Sequence, residues 1–282
     1  MKRYISLIVI CCFTWLSVFS QTYQELVEKS IEAAEQDSLI RAEEYIHQAL
    51  KLEPDNVHNT LLFSNLGTIQ RKRHRYEQAV ESYTYALNLA PKAIPILLNR
   101  ATLYMEMRRE DQARVDYSLV LDLDANNQEA LLMRAYILMQ QRNYKDARLD
   151  YERLLKLNPH SYNGRLGFAT LLQKEAKYNE ALAIISGMIT EGNDQRNWDN
   201  REQAMLYVAR AGIENDQAHS EMALLDLEEA IKLDPNLSDI YLMRGQIYLS
   251  LRRGALAEKD FMTCVKLGIP MSDMRELIRQ CK

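Results

Sequence analysis
The feature that most constrains this chain is that it copies itself. The stretch 100-RATLYMEMRREDQARVDY-117 returns 34 residues later as 134-RAYILMQQRNYKDARLDY-151, with Arg, Ala, Ala, Arg, Asp and Tyr at the same offsets. A period of that length marks stacked supersecondary units rather than one globular core. Anchored on Ala113 and Ala147, equivalent alanines stand at Ala42, Ala79, Ala181, Ala223 and Ala257, in steps of 37, 34, 34, 34, 42 and 34. Twelve residues before each lies a small residue: Ser30, Gly67, Ala101, Ala135, Ala169, Ala211 and Gly245. Four residues after each lies a large apolar one: Ile46, Tyr83, Tyr117, Tyr151, Ile185, Leu227 and Phe261.

Two antiparallel helices per unit account for this spacing. Small residues at two fixed points let helix backbones approach, and the bulky residue one turn on fills the space beside them. Pro54, Pro91, Pro159 and Pro235 each fall twelve residues after an anchor alanine, where a helix must end. Pro95 and Pro270 fall near unit starts, where a first helical turn tolerates proline.

This pattern resembles the tetratricopeptide repeat family. The stretches 65-NLGTIQRKRHRYEQAVESYTYALNLAP-91 and 243-MRGQIYLSLRRGALAEKDF-261 carry the resemblance most fully. Ala125 and Asn193 replace the closing proline in two units. The resemblance implies an all-α fold: a right-handed superhelical solenoid of about seven helix-turn-helix units. It is read as a single solenoid over residues 21–282, with units starting near residues 23, 60, 94, 128, 162, 204 and 238. A cap helix is expected over 271–281, with Ser272 as its N-cap and Met271, Met274, Leu277, Ile278 and Cys281 on one face.

The same resemblance implies a concave groove lined by the first helix of each unit. Its candidate partner-binding residues here are Leu98, Thr102, Met105, Leu132, Tyr136, Met139, Leu166, Thr170 and Met205. The alternative is that several of these residues pack against the neighbouring unit's helix, as apolar residues on a helix often do. The break in spacing at 191-EGNDQRNWDNREQ-203, which carries Trp198, reads either as a binding loop or as a longer turn or helix extension. Arg and Asp switch on together in four units, as Arg100 with Asp116, Arg134 with Asp150, Arg210 with Asp226 and Arg244 with Asp260, and both are absent from the other three. Residues that appear and vanish together are expected to touch, so these are assigned as structural pairs.

Residues 1–20 begin with Lys2 and Arg3 and continue as an apolar run from Tyr4 to Phe19. That is the layout of a secretory signal peptide, and the run falls short of the roughly 20 residues that cross a bilayer. Export to the periplasm or extracellular space follows as an expectation, with membrane contact only through this segment if it is retained. The chain has a formal net charge of −4, which becomes −6 once Lys2 and Arg3 are removed, so nucleic acid is not an expected partner. Cys264 and Cys281 remain beyond the signal, with two readings open: a disulfide that locks the cap, or free core thiols.

His47, His58, His74, His160 and His219 lack the spacing of a metal site, and no phosphate loop or nucleophile elbow is present. No cofactor is expected. These observations favour a non-catalytic scaffold or adaptor for a protein or peptide. The alternatives are a carbohydrate or cell-wall binding protein and, less favoured, an enzyme.

Overall fold
The computed structural model describes residues 21–195 and 198–282, and the signal-like segment 1–20 lies outside them. All regular structure among the described residues is helical. In chain order the helices are α1 (Tyr23–Glu35), α2 (Leu39–Leu52), α3 (Asn59–Lys72), α4 (Tyr76–Leu89) and α5 (Ile94–Glu106). There follow α6 (Glu110–Leu123), α7 (Gln128–Gln140), α8 (Tyr144–Leu157), α9 (Tyr162–Lys174) and α10 (Tyr178–Gln195). The series closes with α11 (Asn200–Asp216), α12 (Ser220–Leu233), α13 (Ser238–Ser250), α14 (Gly254–Lys266) and α15 (Met271–Gln280).

These helices fall into two compact units, one ending at Arg108 and one running Arg109–Lys282. The boundary falls in the turn between α5 and α6, inside one 34-residue repeat. A stack in which each repeat touches only its neighbours has no central core to forbid such a division.

Packing inside each pair follows the small and large positions. All seven anchor alanines are completely buried. A Cβ placed on Gly67 would come within 2.8 Å of the Tyr83 ring, and one on Gly245 within 2.6 Å of Phe261. Glycine at these two points is thus demanded by helix approach, not by backbone conformation.

Among the described residues, seven other than glycine adopt left-handed backbone: Asp37, His74, Arg108, Arg142, Ala176, Ala218 and Arg252. Each ends the first helix of a repeat. The next residue's N–H closes the turn on the carbonyl five residues back, as Asn143 does on Leu138 and Lys177 on Leu172, both at 2.8 Å. That is a Schellman-type closure in which the left-handed residue is not glycine.

Several first-turn donors at helix starts are met by side chains. Asn127 accepts from the Ala130 N–H at 3.0 Å, Ser161 from Gly164 at 3.1 Å, and Asp199 forms a reciprocal capping box with Glu202. The extra residues after Gly192 are absorbed largely by helix: α10 runs to Gln195, and α11 starts at Asn200, four residues ahead of the expected unit start. At the other end α15 packs on α14, with Met274 buried beside Phe261 and Cys264. Its N-cap is Pro270 and not Ser272, whose hydroxyl instead donates to Asp273 at 2.8 Å. Met271, in the first turn of α15, is exposed and takes no part in the packed cluster.

Candidate partner-binding site
The Arg–Asp positions build the frame on which the first helices stand. Arg134 donates from Nε and Nη2 to the two oxygens of Asp150 at 2.8 and 2.7 Å. Arg210 does the same to Asp226 at 2.8 and 2.6 Å, and Arg244 to Asp260 at 2.8 Å through both nitrogens. The three aspartates are buried, and the planar guanidinium fork matches the carboxylate. Hydrogen bonding to its carboxylate raises each arginine above its ordinary pKa. Arg210 also stacks on Tyr207, and Arg244 lies over Tyr241 and Tyr248. In the first unit Arg100 donates to Thr84 at 3.0 Å and stands over Tyr104; in the second, Asp116 is buried.

In the second unit the first helices touch in sequence, α7 with α9, α9 with α11 and α11 with α13, so they form one layer. On α7, Tyr136 projects from that layer and is 41% exposed. Leu132 is half-buried and packs against Ala135, Leu138 and Tyr151. Met139 is removed from the expected contact surface: it is buried in the same cluster as Leu171 of α9, because the layer's own helix contacts consume that position. Leu166 and Thr170 on α9 are half-buried, with the Thr170 hydroxyl turned back to the Leu166 carbonyl at 2.9 Å. Met205 on α11 is half-buried and packs toward Ala204 and Val208.

In the first unit Leu98, Thr102 and Met105 are half-buried on α5, and Thr102 likewise bonds its own helix, donating to the Leu98 carbonyl at 2.9 Å.

Trp198 packs inward. Its indole N–H donates to the Met188 carbonyl at 3.0 Å and its ring meets Tyr162 at 5.0 Å between centroids. The Tyr162 hydroxyl donates to the Glu202 carbonyl at 2.8 Å, so these groups pin α10, α9 and α11 together. Cys264 is buried and Cys281 half-buried, and both are free thiols in the structure. Burial pushes the Cys264 thiol up to about 11, and its sulfur donates to the Ser238 carbonyl at 3.5 Å. Among the described residues no three His, Cys, Asp or Glu side chains gather as a metal site.

In the first unit the first helices of two successive repeats leave space between them. Two clefts of about 350 and 220 Å³ open between α1 and α3, sharing Ile31 and Asn65.

Paired helices, small-large packing and a layer of first helices define a tetratricopeptide repeat protein, and comparison with known proteins agrees. Tetratricopeptide repeat models match residues 94–127, 128–161 and 238–267. The crystal structure of a tetratricopeptide repeat protein from Parabacteroides merdae is similar at 32% identity and a TM-score of 0.80, covering 93% of this chain and 99% of that one. The chain belongs to the tetratricopeptide repeat family. The fold is also shared, at 12% identity and a TM-score of 0.63, with the APC/C hetero-tetramer Cut9-Hcn1, covering 91% of this chain and 55% of that one. A third similar structure is YrrB, described as a tetratricopeptide repeat protein with an unusual peptide-binding site, at 18% identity and a TM-score of 0.53 over 69% of this chain and 95% of that one. No curated protein matches the sequence.

Proposed function
We propose that this protein is a non-catalytic scaffold that binds a protein or peptide through the layer of first helices, and that it works after export, in the cell envelope of a bacterium. The observation that carries the binding surface is the α7–α9–α11 layer, which leaves Tyr136 uncovered with Leu132, Leu166, Thr170 and Met205 half-buried on the same helices. A tyrosine exposed at the centre of a rigid, half-apolar surface supplies contact area at little entropic cost. The peptide-binding site ascribed to the structurally similar YrrB supports a peptide as the class of ligand. The basic and apolar layout of residues 1–20 supports export.

The test is affinity capture from an envelope extract, comparing the parent with a Tyr136→Asp, Thr170→Glu variant that melts like the parent. A protein retained by the parent and lost by the variant supports the reading. Equal capture by both moves the binding surface elsewhere, and no captured protein at all counts against a scaffold role. Intact mass of the protein recovered from the envelope decides export: loss of residues 1–20 is expected, and a full-length cytosolic product would refute it.

A further inference from the structure
We propose that the outer face of α12 and α14 binds a second copy of this chain, in a reversible two-fold dimer that sets the acidic α12 of each copy against the basic α14 of the other. This surface lies on the second helices of the last two repeats and is independent of the binding surface proposed above.

The two helices lie side by side within the second unit. Among their neighbours, α12 packs on α11 and α13, and α14 packs on α13, so both back onto the layer of first helices. Arg253, the N-cap residue of α14, donates to Glu221 in the first turn of α12 at 2.5 Å. That contact ties the two N-terminal ends together and makes the helices parallel. Residues equally far from the buried anchors Ala223 and Ala257 therefore stand at about the same height.

The outward side chains of this pair are apolar in part and charged with opposite sign. Met222 and Leu225 on α12 and Leu256 and Met262 on α14 are between 37% and 63% exposed. Exposed apolar residues scattered singly need no partner, but four on two adjacent helix faces make a patch. On α12 the exposed charges are Glu221, Glu228, Glu229 and Lys232; on α14 they are Lys259 and Lys266. Glu221 is taken by Arg253 and Glu229 by Lys232, whereas Glu228, Lys259 and Lys266 form no ion pair among the described residues.

Charge selects the way two such faces meet. A two-fold axis running across the helices would set α12 on α12 and α14 on α14, with carboxylates facing carboxylates and lysines facing lysines. An axis running along the helices sets each α12 on the α14 of the other copy. Met222 of one copy then meets Leu256 of the other, since each stands one residue before its anchor. Lys259, level with Leu225 of the other copy, covers it with its methylene stem while its ammonium reaches one turn on to Glu228. Lys232 stands level with Lys266 but is already neutralised by Glu229.

Size sets the strength. Helices of 14 and 13 residues run about 20 Å and are each about 10 Å across, so one copy offers a patch of roughly 400 Å². A standard interface takes about 800 Å² from each partner, so this dimer is weak and, with exposed charges, salt-sensitive.

The experiment is sedimentation velocity on the purified protein over rising concentration, at low and at high salt. A monomer–dimer equilibrium that weakens with salt is expected. Lys259→Glu, and separately the pair Glu228→Lys, Glu229→Lys, should each weaken the dimer roughly tenfold or more, and thermal melts check that both fold like the parent. Mixing the two variants should restore association to parental strength, because both α12–α14 contacts of the mixed dimer again join opposite charges. Leu225→Ser should weaken the dimer while leaving its salt dependence in place. A protein that stays monomeric at millimolar concentration overturns the proposal. So does a dimer that neither charge variant disturbs, which would lie on another face, or a loss that mixing does not rescue.

Discussion
Removing Arg134 should destabilise the second unit far more than the loss of one exposed ion pair would. Its partner Asp150 has a side chain only 7% exposed, while Arg134 itself is 26% exposed, and two charge-assisted hydrogen bonds join them. Breaking a fully buried pair costs about 3–5 kcal/mol, whereas exposed pairs contribute about 0–1 kcal/mol. The partial exposure of the arginine places Arg134→Ala between these limits, at about 2 kcal/mol, most of it the cost of leaving Asp150 without a counter-charge. For a unit of this size that corresponds to a fall in Tm of about 4–8 °C. Urea melts followed by circular dichroism would give the same quantity from the midpoint, provided the slope is unchanged. The double variant Arg134→Ala, Asp150→Ala should recover part of the loss, because the stranded carboxylate is gone. An unshifted melt for Arg134→Ala, or a double variant that loses the sum of two independent costs, would refute the pairing argument.

Three further outcomes follow from the same structure. Ala176→Gly should stabilise by about 1 kcal/mol in a thermal melt, since Ala176 sits at φ 58° and is exposed, so little packing is lost with its methyl. Gly245→Ala should cost about 1–3 kcal/mol by the same melt, because the new Cβ meets the Phe261 ring at 2.6 Å. Acid should erode the first unit through Glu43. Burial alone would raise its pKa, but Arg75 and Arg73 outweigh it and hold the carboxyl below its ordinary 4.5. A carboxylate depressed in the folded state stabilises above the unfolded value and loses that contribution as pH falls through the folded one. Glu43→Gln should therefore be less stable than the parent at pH 7, with the gap narrowing below pH 4.5, as read from melts across that range.

The architecture was legible because seven registered copies averaged out the ambiguity of any single helix. Burial of Ala113 or Ala147 followed from their recurrence, and the contact of Arg134 with Asp150 from the way both positions change together. The left-handed turn residues were invisible, because Asp37, His74, Arg142 and Ala176 occupy a place where glycine would have been the signal. Surface was harder than core. Periodicity puts Met139 and Tyr136 on neighbouring faces of one helix, but only the approach of α9 decides that the first is buried and the second exposed. A groove lined by first helices was expected, but that it deepens into clefts beside Ile31, Leu61 and Asn65 was not, because the gap between two helices has no sequence signature. The Trp198 insertion stayed open between a binding loop and a longer turn or helix extension, because a lone aromatic in a polar stretch gives no hint that Met188 and Tyr162 will receive it.

The most direct test of the scaffold account is site-specific photocrosslinking in intact cells that express the protein. A benzophenone amino acid would replace Tyr136 on the first-helix layer or Leu149 on α8, the latter 58% exposed. A discrete crosslinked protein from position 136 and none from position 149 is the predicted result. Crosslinks from position 149 alone, or identical products from both, would contradict the claim that the layer of first helices is the binding surface.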